Sequence, residues 1–193
     1  KREMQFSRNK AEVTTLFVIV LLMTSVTLMA MPVQAQLTQQ EGGSTPGPVP
    51  AGVTPNLRVK TTAFLSFRPN PVGKGQTFLV NMWLNPATHA SRYFKDYKVT
   101  ITKPDGTQDV ITMNSYRADT TAWFEYVADQ VGEWKLKFEF PGGYFPPGIY
   151  TPAPGAVYGT TPTTFTQSCY YEPSSTAEQT LTVREEIVYS WPE

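Results

Sequence analysis

The stretch Tyr126 to Phe140, YVADQVGEWKLKFEF, leaves this chain the fewest choices of fold. Trp134, Leu136, Phe138 and Phe140 alternate with Lys135, Lys137 and Glu139. Successive side chains of a strand point to opposite faces, so this run has one apolar and one charged face and reads as a half-buried strand. Just ahead of it, Asp129-Gln130-Val131-Gly132 supplies turn chemistry, with Gly132 free to take a positive φ. Thr121 to Val127 reads as the preceding strand, with Tyr126 near its end. The register places Trp134 in a core and Lys135 in water.

The same period of two runs through much of the chain. Leu57, Val59, Ala63, Leu65 and Phe67 alternate with Arg58, Lys60, Thr62 and Ser66, with Phe64 out of step. After the turn RPNPVGKGQ (68–76), residues 77–85 put Phe78, Val80, Met82 and Leu84 on one face and Trp83 on the other. Tyr97, Val99 and Ile101 alternate with Lys98, Thr100 and Thr102. Lys103-Pro104-Asp105-Gly106 then turns the chain into a weaker strand, 108–113. The last strand, 177–184, points Leu181 and Val183 inward. No segment between these strands has a helical period. Seven short strands with turn signals between them, and an aromatic strand leading through an Asp/Gly corner into a Trp-led strand, predict an all-β fold. The expected architecture is a seven-stranded antiparallel immunoglobulin-like β-sandwich over residues 57–184. Cys169 is the only cysteine, so the sandwich has no internal disulfide, and the thiol reads as a small buried hydrophobe.

Upstream of the strands the composition changes twice. Lys1, Arg2, Arg8 and Lys10 precede an apolar run from Leu16 to Met31, and Pro32 and Val33-Gln34-Ala35 follow. Basic start, apolar middle and small-residue end predict a hydrophobic signal helix removed before Gln36, and hence a secreted or cell-surface protein. The competing reading is an uncleaved anchor through residues 13–31, long enough to span a bilayer. Residues 36–56 are rich in Pro, Gly, Gln and Thr without hydrophobic period, and are expected to form a linker. Past Arg184, residues 185–193 read as the start of a second linker, toward a region beyond Glu193.

The segment 141–171 contains eleven Pro and Gly among 31 residues, which excludes a long regular element. Tyr144, Phe145, Tyr150, Tyr158, Tyr170 and Tyr171 give it rigid apolar area, mostly with hydroxyl handles. Such area suits a ligand site or a protein interface. The alternative is that the loop folds back over the sandwich edge and covers its backbone. The expectation for the chain by itself is an exposed apolar patch near Tyr144, Phe145 and Tyr150.

Charge and motif content argue against several function classes. Past residue 35 the chain holds 12 basic and 14 acidic residues, with the basic ones spread singly along strands, so nucleic acid is not an expected partner. His89, the only histidine, has no second His, Cys or acidic cluster at ligand spacing. Glu185 and Glu186 are adjacent and, on a strand, would point to opposite faces. Gly-x-Ser-x-Gly, P-loop, EF-hand and GxGxxG patterns are missing from the sequence. No catalytic residue, metal or cofactor is therefore expected.

Three pieces, YFKDYKVTITKPDGT (93–107), WFEYVADQVGEWKLKFEFPGGYF (123–145) and YYEPSSTAEQTLTVREE…YSWPE (170–193), are similar to one known family. They resemble the N-terminal immunoglobulin-like region of secreted archaeal proteins that continue into a quinoprotein-type (PQQ-like) β-propeller repeat. The resemblance implies that the segment matching YSWPE leads into a propeller, for which this chain would be the fragment ahead. It says nothing of activity. Together these readings predict a non-catalytic structural or adhesive module docking on a following domain or on other cell-surface proteins. The rival reading is a carbohydrate-binding module that takes a glycan on the loop 141–171.

Overall fold

The structure is a computed structural model, and it describes residues 37–117, 119–152 and 161–189. The signal or anchor segment and residues 190–193 lie outside the described residues. What is described is all-β, with no helix among those residues. In chain order the strands are β1 (Gln39–Gln40), β2 (Thr45–Pro46), β3 (Leu57–Val59), β4 (Thr62–Arg68), β5 (Val72–Gly73), β6 (Thr77–Asn85), β7 (Tyr97–Thr102) and β8 (Gln108–Met113). They continue as β9 (Ala122–Val127), β10 (Gly132–Phe140), β11 (Gly143–Phe145), β12 (Gly148–Tyr150), β13 (Thr163–Phe165), β14 (Cys169–Tyr171), β15 (Ser174–Ser175) and β16 (Gln179–Arg184). Each stretch with a period of two forms a strand, the first of them split into β3 and β4. The other strands are two or three residues long and carry no periodic signal of their own.

Two sheets enclose one core. The smaller has the order β4-β6-β9 and is antiparallel throughout. The larger runs β5-β16-β10-β7-β8, with β15 pairing on the end of β10. Phe67, Phe78, Val80, Met82 and Leu84 from the first sheet meet Tyr97, Val99, Ile101, Trp134, Leu136, Phe138 and Leu181 from the second in a single buried cluster. Trp134 is fully buried and edge-on to Phe78, with ring centroids 6.3 Å apart. Fully burying side chains of this size stabilises the fold by about 1.5–3 kcal/mol each, which is why the alternation decides the register.

The corner before β10 is built as its residues require. Gly132 has φ 132°, a conformation that side chains disfavour, and an added Cβ would lie 2.9 Å from Pro104 Cγ. Trp134 Nε1 donates to the Gln130 carbonyl at 2.9 Å. Lys103 spans the corner, pairing with Asp129 at 2.8 Å and Asp109 at 3.1 Å. The Tyr126 hydroxyl donates to Asp109.

The boundary expected at Leu57 is corrected. The folded unit begins at Leu37, and residues 37–47 are not a linker. β1 pairs in parallel with β12, and β2 pairs with β11, so this segment joins two small sheets, β1-β12-β13 and β2-β11-β14-β3. It lacks hydrophobic period because it contributes backbone pairing and close approach rather than side chains. Gly42 has φ 92°, and an added Cβ would meet the Ser91 carbonyl at 2.5 Å. Ser44, buried, accepts from Lys95 N at 3.1 Å through its hydroxyl.

Candidate binding face

The aromatic segment 141–171 was the sequence's candidate, and the structure takes most of its rings into the core. Phe145 and Tyr150 are fully buried, and Tyr144, Tyr170 and Tyr171 are buried as well. Tyr158 lies outside the described residues. The expected exposed patch near Tyr144, Phe145 and Tyr150 is therefore corrected: these side chains are interior. β11, β12, β13 and β14 hold them there, with Tyr144 opposite Tyr170 and Phe145 opposite Cys169.

A residue that periodicity did not flag explains much of this. Arg92, 4% exposed, places its guanidinium carbon 3.6 Å from the centre of the Phe165 ring, 4.2 Å from Tyr150 and 4.8 Å from Phe145. Ring faces attract a cation, more strongly when both are desolvated. The loop thus spends its aromatics on enclosing a charge. Among the described residues Arg92 Nε and Nη2 have no hydrogen-bond partner, nor does the buried Thr88 Oγ1. Burial pulls the guanidinium below its ordinary value, and burial pushes the Tyr150, Tyr171 and Cys169 groups up. His89 sits beside this cluster, its Nδ1 2.9 Å from Ser91 Oγ and its ring edge-on to Phe165.

The large rings that strands turn outward are on the outer face of β4-β6-β9, Phe64 and Trp123 exposed and Trp83 half-buried. The strand period that sends Leu65, Met82 and Ala122 inward sends Phe64, Trp83 and Trp123 outward. Phe64 is directly opposite Trp83, and the two rings stack with centroids 5.2 Å apart and planes 6° off parallel. One row along, Ser66, Asn81 and Trp123 line up across the three strands, and Arg68, Leu79 and Glu125 form the next row. Trp123 is 48% exposed, Leu79 41% and Phe64 37%. Arg68 Nη1 donates to the Phe67 carbonyl, while Ser66, Asn81 and Glu125 have no side-chain hydrogen bond or ion pair among the described residues. Of the other exposed large apolar side chains, Leu57 is on β3 and Val110 on β8, while Val53, Tyr116 and Tyr189 lie outside the strands.

The sequence held the signal for this face. Phe64 broke its alternation and Trp83 stood opposite the apolar face of its strand, both marks of a large ring facing out.

A cleft of about 700 Å³ opens on the other sheet, lined by Asp96, Lys98, Glu139 and the prolines at 46, 141 and 173. Its charges are largely satisfied: Glu139 pairs with Lys98 at 2.7 Å and Lys137 at 3.2 Å, which hold its carboxyl below the usual range. No group of three or more potential metal ligands occurs among the described residues. No helix among them is long and apolar enough to cross a membrane. Compared with known proteins, the chain matches no family model, no curated protein and no solved structure.

Proposed function

We propose that this chain is a non-catalytic, adhesive β-sandwich module of immunoglobulin-like type, carried by an exported protein, and that it binds its partner through the outer face of β4-β6-β9. The observation that carries this reading is the group of outward rings, Phe64, Trp83 and Trp123, on an otherwise regular sheet. Rings placed there add little to the core, and exposed aromatics interleaved with free polar groups suit recognition. The export reading rests on the basic, apolar and small-residue order of residues 1–35. The resemblance to the N-terminal region of propeller-containing archaeal proteins supports a place at the cell surface ahead of a further domain.

Co-sedimentation with envelope fragments from the producing cells tests the reading. The protein should pellet with the fragments, and Trp83→Ala/Trp123→Ala should remain in the supernatant with its melting temperature little changed. Equal pelleting of both proteins would remove the face from the account.

A further inference from the structure

We infer that the occupant of this face is a neutral polysaccharide, laid obliquely across the three strands. The inference rests on the face being a binding surface and adds the chemistry of the ligand.

The placement of the rings comes first. Phe64 and Trp83 share one row on β4 and β6, and Trp123 stands one row further along on β9. The rings therefore mark a diagonal from one edge strand to the other. With strands about 4.8 Å apart and about 6.7 Å per two residues along a strand, that diagonal is roughly 12 Å long. An extended chain of several sugar rings matches such a track better than a single small molecule does.

The chemistry between the rings is the second argument. A sugar ring has an apolar C–H face and a rim of hydroxyls, each both donor and acceptor. Aromatic faces take the first, and planar amide and carboxylate groups take the second. Asn81 is beside Trp123 in the same row, and Ser66 flanks it on β4. Both lack side-chain partners among the described residues, so their hydrogen-bonding capacity is free for a ligand. A protein-docking patch of this size would instead be expected to have an apolar centre with its polar groups at the rim.

Charge is the third argument. The face carries Arg68 and Glu125 in one row and no cluster of basic side chains. Opposite single charges leave it close to neutral, which disfavours a sulfated, phosphorylated or uronate-rich chain and fits an uncharged one.

Affinity electrophoresis of the full protein through gels containing xylan, mixed-linkage β-glucan, mannan or heparin tests this. At least one neutral polysaccharide should retard the protein, and heparin should not. Trp83→Ala/Trp123→Ala should weaken that retardation roughly tenfold or more, as loss of central aromatic contacts does. Asn81→Ala, which leaves every ring in place, should weaken it by a smaller factor. Melting temperatures lowered by no more than a few degrees, the loss expected of the Trp83–Phe64 stack, separate lost contacts from lost fold. Retardation by heparin alone, or neutral retardation indifferent to the tryptophans, overturns the inference. Pretreating the envelope fragments separates this failure from that of the adhesive reading. Periodate oxidation of their glycans should abolish co-sedimentation. If protease treatment abolishes it and periodate does not, the occupant is a protein: the glycan falls and the adhesive face stands.

Discussion

The outer faces of the two main sheets obey the same alternation and end up with opposite chemistry. On the larger sheet the outward positions are Lys98, Thr100 and Thr102 on β7 and Glu133, Lys135, Lys137 and Glu139 on β10. These groups satisfy one another: Lys98 with Glu139 at 2.7 Å, Lys135 with Glu133 at 3.6 Å, and Lys135 Nζ donating to Thr180 Oγ1 at 2.7 Å. Such surface pairs contribute little stability each, and they leave few groups free for a partner. On the smaller sheet the outward positions hold Phe64, Leu79, Trp83, Trp123 and Val127, together with Ser66, Asn81 and Glu125, whose side chains have no hydrogen bond or ion pair among the described residues. The comparison teaches that burial is not what placed these aromatics. A solvated sheet face can be built mainly from Lys, Glu and Thr without any large ring, as β7 and β10 on the other side of this molecule demonstrate.

The largest effects should come from the interior both faces share. Trp134→Ala should cost on the order of 3–5 kcal/mol in chemical denaturation, while Lys135→Ala, on the outer face of the same strand, should cost about 0.5 kcal/mol or less. Equal costs would mean that the two faces of β10 are exchanged. Phe145→Ala should also cost on the order of 3–5 kcal/mol, because that ring is core against Phe94, Tyr150 and Arg92. A cost near zero would return the loop to the surface and undo the contrast between its rings and the outward tryptophans.

Smaller losses are expected on the aromatic face itself. Trp83→Ala should cost about 1 kcal/mol, the order of one stacked aromatic pair with Phe64. Trp123→Ala, with its ring half in water and no ring partner among the described residues, should cost about 0.5 kcal/mol or less. A cost of several kcal/mol at Trp123 would make it a structural residue.

The pH dependence should come chiefly from the Lys103 corner, on neither face, with a further share from Glu139 on the charged face, whose carboxyl Lys98 and Lys137 hold down. Asp105 is held down to about 2 by hydrogen bonds from the Thr107 side chain and backbone and from Gln130. Asp109 is held below its ordinary value by Tyr126 and then Lys103. A depressed carboxylate stabilises the fold above its unfolded value, so this contribution should fade as pH drops from about 4 toward 2. Lys103 is raised, chiefly by Asp129, so its contribution is complete below the ordinary lysine value and disappears only above it. Stability should therefore be level through neutral pH, and Asp109→Asn should reduce the acid loss when melting is followed from pH 5 to 2. An acid profile unchanged in that variant would place the sensitive groups elsewhere.

Much of the fold was legible because burial writes itself into period two. Trp134, Leu136, Phe138 and Phe140 fixed their strand, and Phe78, Val80, Met82 and Leu84 fixed another. Residues 37–47 were illegible for the converse reason, since backbone pairing and glycine clearance leave no hydrophobic pattern. The candidate site was half legible. Composition shows that 141–171 is aromatic but not whether its rings face in or out. That depends on Arg92, about 50 residues earlier in the chain and close to them only after folding. Phe64 and Trp83 were visible as outward rings, yet their alignment with Trp123 exists only in the pairing of β4, β6 and β9.

Hydroxyl-radical footprinting of the protein, free and bound to envelope fragments, tests the contrast between the two faces most directly. In the free protein Trp83, Trp123 and Phe64 should be oxidised and the buried Trp134 spared. On binding, oxidation of the three outward rings should fall, while Val110 on the opposite sheet, 57% exposed, should react as before. Protection at Val110 with Trp83 and Trp123 still reactive would show that the charged face binds and would contradict the account.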